Sequence, residues 1–404
     1  MRSPLLELCA RATGHQEQYK LLHDQCQLCK DWEAVVLRAE KEGMTPLLSK
    51  HLAESQASYP EHIRILLDFL DKRYKHHTAV RLQVLQEVLE IWAEEQLTPL
   101  LIKGAALCHT AYADPALRPM RDMDILFAPN EAVRAQRLLQ SLAFVPSTAA
   151  IPADHHHLPA LLKTVQGIVI CIEIHHGMYP NCPPYYPEVN FDKLLATSRK
   201  LTIGTTGALT LGDMETLDYI YQHAFRPPLA YESFKLISVA DLVSLTEKNL
   251  GNLDWPRIRQ KYPLVYNAIP LMHHVVPWDF TKVPRDFVPQ RDHRRRLAPR
   301  PFTGWPNRKL REMRAEGLGY GRVLFHTFMP SLWWFRVFYG VMTWSRLLVV
   351  ILITHPRQVF WWIRLYCQFL PLGDRQSRDQ PVPAYPLVRR LAMWAMNISK
   401  YFKN

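Results

Sequence analysis

Residues 168–175, IVICIEIH, constrain the fold of this chain more than any other segment. Isoleucine occupies every second position from Ile168 to Ile174, and side chains alternate between the two faces of a β-strand. Because β-branched residues favour strands, the segment predicts a strand with one continuous apolar face. The opposite face carries Val169, Cys171, Glu173 and His175. The chain therefore contains a sheet in which a strand with a buried face presents a carboxylate on its other side.

A second strand-like run carries two aspartates spaced by one residue, in the segment RDMDILF. Asp122 and Asp124 leave the same face of such a strand. Two carboxylates that close repel each other unless a cation lies between them, and oxygen ligands of this kind suit Mg²⁺ or Mn²⁺. For this tripeptide alone, the alternative is a solvated pair of aspartates at a strand end.

The two strands together suggest more than either does alone. If they are neighbours in one sheet, Glu173 joins Asp122 and Asp124, and three carboxylates could hold two metal ions for in-line phosphoryl chemistry. The sequence does not reveal whether the two strands pair.

Three motifs in this order resemble the uncharacterised nucleotidyltransferases of the polymerase-β superfamily. They are KG at Lys103 and Gly104, RPMRDMDILF from Arg118 to Phe127, and IEIHH ending at His176. The resemblance extends over most of residues 25–260. It implies an α/β fold of the α+β kind, in which a small mixed sheet of polymerase-β nucleotidyltransferase type has flanking helical regions.

The resemblance also implies roles for individual residues. Asp122 and Asp124 take the positions of the paired metal ligands, Glu173 that of the third carboxylate, and Gly104 that of the glycine motif. All three carboxylates are then both metal ligands and catalytic residues. The chain departs from the superfamily in two respects. Ala105 stands where Ser or Gly usually follows the glycine, and the gap to the paired aspartates is longer.

The activity implied is metal-dependent, with Mg²⁺ or Mn²⁺, and transfers a nucleoside monophosphate from a nucleoside triphosphate to an acceptor. The acceptor could be a small molecule, a protein side chain or an RNA end, and the sequence does not choose among them. The alternative is a catalytically silent scaffold, or a peripheral membrane-associated protein, that has the same fold.

Basic residues near these motifs are candidates for binding the triphosphate. Lys103 could supply a point charge, Arg118 and Arg121 could donate bidentate hydrogen bonds to phosphate, and amides of a helix starting near Gly104 could face a phosphate. The alternatives are a solvated lysine at a strand end and two arginines that balance the charge of the aspartates.

Histidines and cysteines suggest further sites less strongly. The adjacent His155, His156 and His157 diverge along the chain and are not expected to ligate one ion together. His175, on the Glu173 face, is either a contact around the site or a structural histidine. Cys26 and Cys29 have no second pair at metal spacing, which favours two positions on a helix over a zinc site.

The 7 cysteines form no disulfide framework, which indicates a reducing compartment. The apolar run at the N-terminus is too short for a signal peptide. We therefore expect a cytoplasmic protein, with peripheral contact to the membrane as an alternative.

The chain is expected to have four regions. They are an N-terminal helical region (1–96), a nucleotidyltransferase core (97–200), a second helical region (201–281) and a basic, aromatic-rich C-terminal region (282–404). In the first, apolar residues at helical spacing over 77–96 predict a buried stripe. In the third, Lys235 and Asp241 either line the cleft or are ordinary helix surface or capping residues.

Positive charge is concentrated at the C-terminal end. Residues 282–404 hold 22 Lys and Arg against 6 Asp and Glu, whereas the whole chain has a net charge of +12. The arginine-rich stretch 291–314 reads as a connector or a phosphate-binding arm. Beyond it, residues 323–370 interleave tryptophans with arginines and are not expected to contain a spanning helix. This segment either lies on an anionic membrane or packs against the catalytic unit.

Overall fold

The fold is given by a computed structural model, which describes residues 5–148, 155–179, 186, 189–226, 235–278 and 315–369. The arginine-rich stretch 291–314 lies outside these residues. Most of residues 178–190, a proline-rich segment that the sequence predicts to be a loop, also lies outside them. The chain divides into two compact units. The first comprises Met1–Arg226, Phe234–Pro299 and Arg336–Gly340, and the second comprises Pro227–Ser233, Arg300–Phe335 and Val341–Asn404.

Helices dominate the first unit. Before the sheet begins they are α1 (Leu5–Leu8), α2 (Gln16–Leu28), α3 (Trp32–Glu42), α4 (Thr45–Ser55) and α5 (Glu61–Glu94). Between and after the strands they are α6 (Lys103–Thr110), α7 (Ala132–Ser141), α8 (Phe191–Ala196), α9 (Asp213–Phe225), α10 (Leu236–Lys248), α11 (Trp255–Lys261) and α12 (Pro263–Ala268). Short 3₁₀ helices form at Pro115–Leu117 and Ile269–His274.

The described strands form one mixed seven-stranded sheet, in the order β3-β4-β5-β2-β1-β7-β6. They are β1 (Leu100–Ile102), β2 (Met123–Leu126), β3 (Val145–Pro146), β4 (Leu161–Val165), β5 (Ile168–His175), β6 (Arg199–Ile203) and β7 (Thr206–Thr210). Strand β2 pairs in parallel with β5, and β1 pairs in parallel with β7. The expected mixed α/β fold is confirmed. Because β6 and β7 belong to the sheet, it extends beyond residue 200, where we placed the end of the core.

Helix α5 covers one face of the sheet. Its buried residues Val84, Val88 and Trp92 belong to the same core cluster as the isoleucines of β5. The indole of Trp92 meets the ring of Phe127 edge-on, with centroids 4.9 Å apart. The apolar stripe predicted over 77–96 is therefore core, and it belongs to a single helix that starts at Glu61, well before the stripe.

A smaller apolar cluster lies on the opposite face. There, Ile102 of β1 and Leu126 of β2 pack with Leu194 of α8 and Tyr219 of α9. Because side chains alternate along a strand, Asp124 leaves β2 on the same face as Leu126. The carboxylates of the candidate site therefore face α8 and α9, away from α5.

The second unit contains helices Tyr320–Phe328, Leu332–Tyr339 (whose last four residues belong to the first unit), Trp344–Val349 and His355–Phe369. A π-helical turn, Val350–Thr354, joins the last two. Buried His355 lies between aromatic residues, its ring centroid 4.9 Å from that of Phe335 and 5.5 Å from that of Trp334. These contacts are the core of the described part of this unit.

Candidate active site

The sheet brings Asp124 and Glu173 side by side. In the parallel pairing of β2 with β5, Asp124 is the direct register partner of Glu173, and Leu126 is that of His175. Both strands alternate in phase, so Asp124, Glu173 and His175 leave the sheet on one face. The two strands, whose pairing the sequence could not establish, are thus neighbours in the sheet.

Asp124 lies at the centre of this group and is 1% exposed. Its Oδ1 accepts a hydrogen bond from Nζ of Lys103 at 2.7 Å and lies 3.0 Å from Nε2 of His175. Burial alone would raise the pKa of Asp124, but the Lys103 ammonium and the His175 hydrogen bond hold this pKa well below its usual value. Asp124 is therefore a carboxylate at neutral pH.

Glu173 and His175 complete a compact donor set. Oε2 of Glu173 lies 3.7 Å from Nε2 of His175, and ligand atoms of Asp124, Glu173 and His175 all lie within 4.8 Å of one another. Among the described residues, this is the group of His, Cys, Asp and Glu side chains whose geometry could hold a metal ion. Carboxylate oxygens suit Mg²⁺ and Mn²⁺, and imidazole nitrogen is more typical of transition metals. The residues present therefore fit a divalent cation.

Asp122 stands just before β2 and is half-buried. Burial and the nearby carboxylates of Asp124 and Glu173 raise its pKa. The predicted repulsion among the three carboxylates thus acts on Asp122.

Lys103 enters the site through an unusual backbone conformation. Its φ of 48° lies in the left-handed region, which costs a residue other than glycine on the order of 1 kcal/mol and is found at functional sites. This turn carries the chain directly from β1 into α6 and leaves the ammonium on Asp124 rather than in solvent. Burial alone would lower the pKa of Lys103, but the Asp124 carboxylate raises it above its usual value.

Gly104 is required by close packing. A Cβ at this position would lie 2.9 Å from Cγ of Met120 and 3.0 Å from Nη1 of Arg118. Ala105, the departure from the superfamily motif, is fully buried within α6. A role for this turn in binding phosphate stays a prediction.

Arg118 is held by a partner distant in sequence. Its Nε and Nη2 donate to the carboxylate of Asp241 in α10, with Nη2 to Oδ2 at 2.8 Å, and its Nη1 donates to the Pro119 carbonyl at 2.7 Å. The hydroxyl of Tyr112 donates to the same carboxylate at 2.8 Å. The structure therefore gives Arg118 a buried partner other than the paired aspartates. Arg121 is exposed, and its role toward phosphate stays a prediction.

A match to a protein family covers the residues of this site. The model of a family described as uncharacterised nucleotidyltransferase matches residues 29–262, more than half of the 404 residues. The chain belongs to this nucleotidyltransferase family. The match covers β1–β7, and thus every side chain of the candidate site.

Two other comparisons add little. One solved structure, an antigenic nucleotidyltransferase-like protein from Paracoccidioides brasiliensis, is 16% identical with a TM-score of 0.31, over 48% of this chain and 93% of that chain. No curated protein matches the chain. The assignment to the nucleotidyltransferase family therefore rests on the family model.

The histidine triplet lies against the candidate site, a proximity that the sequence did not indicate. The segment at His157 forms an antiparallel bridge with His175, which brings the His156 and His157 rings to 5.2 and 5.1 Å from that of His175. Nε2 of His157 lies 3.8 Å from Oε2 of Glu173. Burial and the other histidines lower the pKa of His156 to about 2, so this ring is neutral.

Sequence reasoning also missed Tyr219 and the pairing of Asp241. Tyr219 is buried on the site's face of the sheet, and its hydroxyl has no hydrogen-bond partner among the described residues. Asp241, which we expected either at the cleft or on a helix surface, is buried. A carboxylate amid the apolar residues of LISVADLVSL was the available signal, because such a group is buried only when paired.

The positions of Cys26 and Cys29 agree with the prediction that both belong to a helix. Cys26 lies in α2, and Cys29 is the C-cap residue of that helix.

Proposed function

We propose that this chain is a metal-dependent nucleotidyltransferase that transfers a nucleoside monophosphate from a nucleoside triphosphate to an acceptor. The observation that carries the proposal is the register pairing of Asp124 with Glu173, beside the Lys103 ammonium. Family membership supports the reaction class and a nucleotide substrate. The acceptor hydroxyl belongs to a small molecule, a protein side chain or an RNA end.

In the proposed reaction, Asp122, Asp124 and Glu173 would hold Mg²⁺ or Mn²⁺, and the last two of these lie in one compact donor set with His175. The ion would supply charge neutralisation at the phosphoryl oxygens. The acceptor oxygen forms a bond to the α-phosphorus as the bond from that phosphorus to its bridging oxygen breaks, and pyrophosphate leaves. Glu173 is half-buried beside Asp124 and accepts the proton of the acceptor hydroxyl.

Lys103 has two successive roles in this proposal. Its ammonium neutralises Asp124 while no cation is bound. With a divalent ion on that carboxylate, the ammonium would be available to bind the phosphates of the nucleotide, where a compact point charge is effective. Arg121 is exposed and is the second candidate for binding phosphate.

The direct test offers the full-length protein each α-labelled nucleoside triphosphate with Mg²⁺ or Mn²⁺, and with small-molecule, protein and RNA acceptors in turn. Covalent label on one acceptor class, with release of pyrophosphate, is expected. The rival hypothesis is a catalytically silent scaffold. The Lys103 ammonium supports this rival, because it neutralises the Asp124 carboxylate without a metal ion. Absence of both nucleotide binding and label transfer with every triphosphate would establish that rival.

Metal binding is expected to raise the melting temperature. Because a ligand that binds only the native state stabilises it, Mg²⁺ or Mn²⁺ should raise the Tm of the wild type, and more so with a triphosphate present. The double variant Asp122→Ala/Asp124→Ala should lose this gain. Asp24→Ala/Asp192→Ala, which removes two exposed carboxylates elsewhere, should keep it. An unchanged metal response in the Asp122/Asp124 variant would refute the proposed ligands.

A Lys103→Met variant is expected to depend on metal for stability. Removing one partner of a largely buried charge pair costs about 3 kcal/mol of unfolding free energy, and Asp124 is almost wholly buried. Since a divalent ion can replace the lost positive charge, Mn²⁺ should raise the Tm of this variant more than that of the wild type. The control is Lys50→Met, which removes a surface pair with Glu54. Equal Tm values for Lys103→Met and wild type without metal would contradict the assigned pairing.

A further inference from the structure

The second unit exposes an unusual number of large apolar side chains. Among the described residues, 315–369 hold eleven of them, one more than the ten in all the other described segments together. They are Tyr320, Leu324, Phe325, Met329, Met342, Trp344, Leu348, Val349, Leu352, Ile353 and Phe360. Single exposed apolar residues are ordinary, whereas a concentration of them marks an interaction surface.

The exposed residues form a stripe along the stretch that begins at Trp344. Trp344, Leu348 and Leu352 follow one another at four-residue spacing and are 46%, 57% and 72% exposed. On the other side of the same stretch, Leu347 and Val359 are buried. Helical residues four apart lie on one face, so this stretch has one apolar face turned inward and a second turned to solvent.

The helix Tyr320–Phe328 adds exposed residues beside this stripe. Nε2 of His355 lies 3.1 Å from the carbonyl oxygen of Thr327, and the rings of Phe328 and Phe360 are 5.8 Å apart. These contacts join that helix to His355–Phe369. Phe325, 58% exposed, and Phe360, 64% exposed, therefore belong to neighbouring helices of the same unit.

The charges around this surface have one sign. No Asp or Glu occurs from residue 317 to residue 373, and the arginines 322, 346, 357 and 364 are all exposed. An apolar helix face bordered by arginines, with tryptophan at the boundary, complements an anionic lipid surface. A protein partner would need an equally apolar face with acidic residues around it.

The helices of this unit are short. No single described helix is long and apolar enough to cross a membrane; only the pair Leu332–Tyr339 and Trp344–Trp361, bent by 96°, satisfies length and composition together. A helix that lies along an interface needs only one apolar face, which the stripe from Trp344 provides.

We propose that the described part of the second unit, 315–335 and 341–369, binds the surface of an anionic membrane. The apolar stripe enters the boundary between headgroups and acyl chains, and the exposed arginines contact the lipid phosphates. This surface acts independently of the nucleotidyl transfer proposed above, since it shares no residue with the candidate active site.

The test is co-sedimentation of the full-length protein with vesicles of phosphatidylcholine alone or of phosphatidylcholine with phosphatidylserine, at low and at high salt. We expect binding to the anionic vesicles that weakens as salt rises. Arg346→Glu/Arg357→Glu should lower the affinity at least about tenfold, because each basic residue near the surface contributes to binding. Leu352→Ser/Ile353→Ser should lower it comparably.

Matched controls separate this surface from general charge and hydrophobicity. Leu37→Ser removes a leucine of α3 that is 73% exposed. Arg137→Glu/Arg257→Glu reverses the charge at two exposed arginines of the first unit. Both controls should bind like the wild type, and far-ultraviolet circular dichroism should show that every variant is folded.

Three outcomes would overturn the proposal. The wild type could stay in the supernatant with anionic vesicles at low salt, or bind phosphatidylcholine vesicles equally well. It could also form a dimer that Leu352→Ser/Ile353→Ser dissociates, with no binding to vesicles, which would assign the surface to a second copy of this chain.

Discussion

Replacing Glu173 by Gln is expected to lower nucleotidyl transfer by about 10² to 10⁴-fold, the range for loss of a positioned proton acceptor. Glutamine keeps the shape of the side chain beside Asp124 but carries no charge and cannot take the proton of the acceptor hydroxyl. Nucleotide should still bind, because Asp122, Asp124 and Lys103 remain. The measurement pairs single-turnover transfer of label with a separate titration of nucleotide binding.

The control for this change is Glu87→Gln, which replaces an exposed carboxylate on α5. That helix packs against the other face of the sheet, so wild-type transfer is expected. If Glu173→Gln also transferred label at the wild-type rate, Glu173 would have no part in the reaction. Loss of nucleotide binding together with transfer would instead make Glu173 a binding residue.

Breaking the Arg118–Asp241 pair is expected to give the largest loss of stability. Both side chains are largely buried, 15% and 3% exposed, and removing one partner of a buried ion pair costs about 3–5 kcal/mol because the other charge is left without compensation. Arg118→Met should lower the unfolding free energy by this amount in urea denaturation. The double variant Arg118→Met/Asp241→Leu should recover part of it, since no charge is then left buried.

The matched control is Arg134→Met, which breaks a pair with Glu95 whose side chains are 55% and 45% exposed. An exposed pair contributes about 0–1 kcal/mol. Should Arg118→Met cost no more than this control, its guanidinium would not depend on Asp241 and would be available to bind phosphate, as the sequence first suggested.

Local patterns in the sequence predicted the parts of the site that depend on one strand at a time. Alternation placed Glu173 opposite the isoleucine face of β5 and Asp124 opposite Met123 and Ile125 on β2. Asp122, which was expected on the same side as Asp124, precedes the strand. The pairing of the two strands depends on backbone hydrogen bonds between distant segments, for which neither strand carries a local signal. The family resemblance implied one site for the three carboxylates but not the pairing of the strands.

Contacts made by long side chains were harder to predict. Lys103 at a strand end reads equally well as a solvated residue, and only the left-handed turn at its backbone directs its ammonium to Asp124. Arg118 finds its partner in α10, across a large part of the chain. The His155–His157 segment reaches His175 through a backbone bridge, although adjacent histidines alone give no reason to expect it.

The register of β2 on β5 also determines where the chain can change length. Parallel neighbours require a crossover connection, and here that connection holds none of the three carboxylates. Residues added to or removed from this connection leave Asp124 opposite Glu173. A single deletion within either strand, by contrast, moves every later side chain to the opposite face. Insertions and deletions among relatives should therefore occur mainly in this crossover connection, and β2 and β5 should keep their lengths.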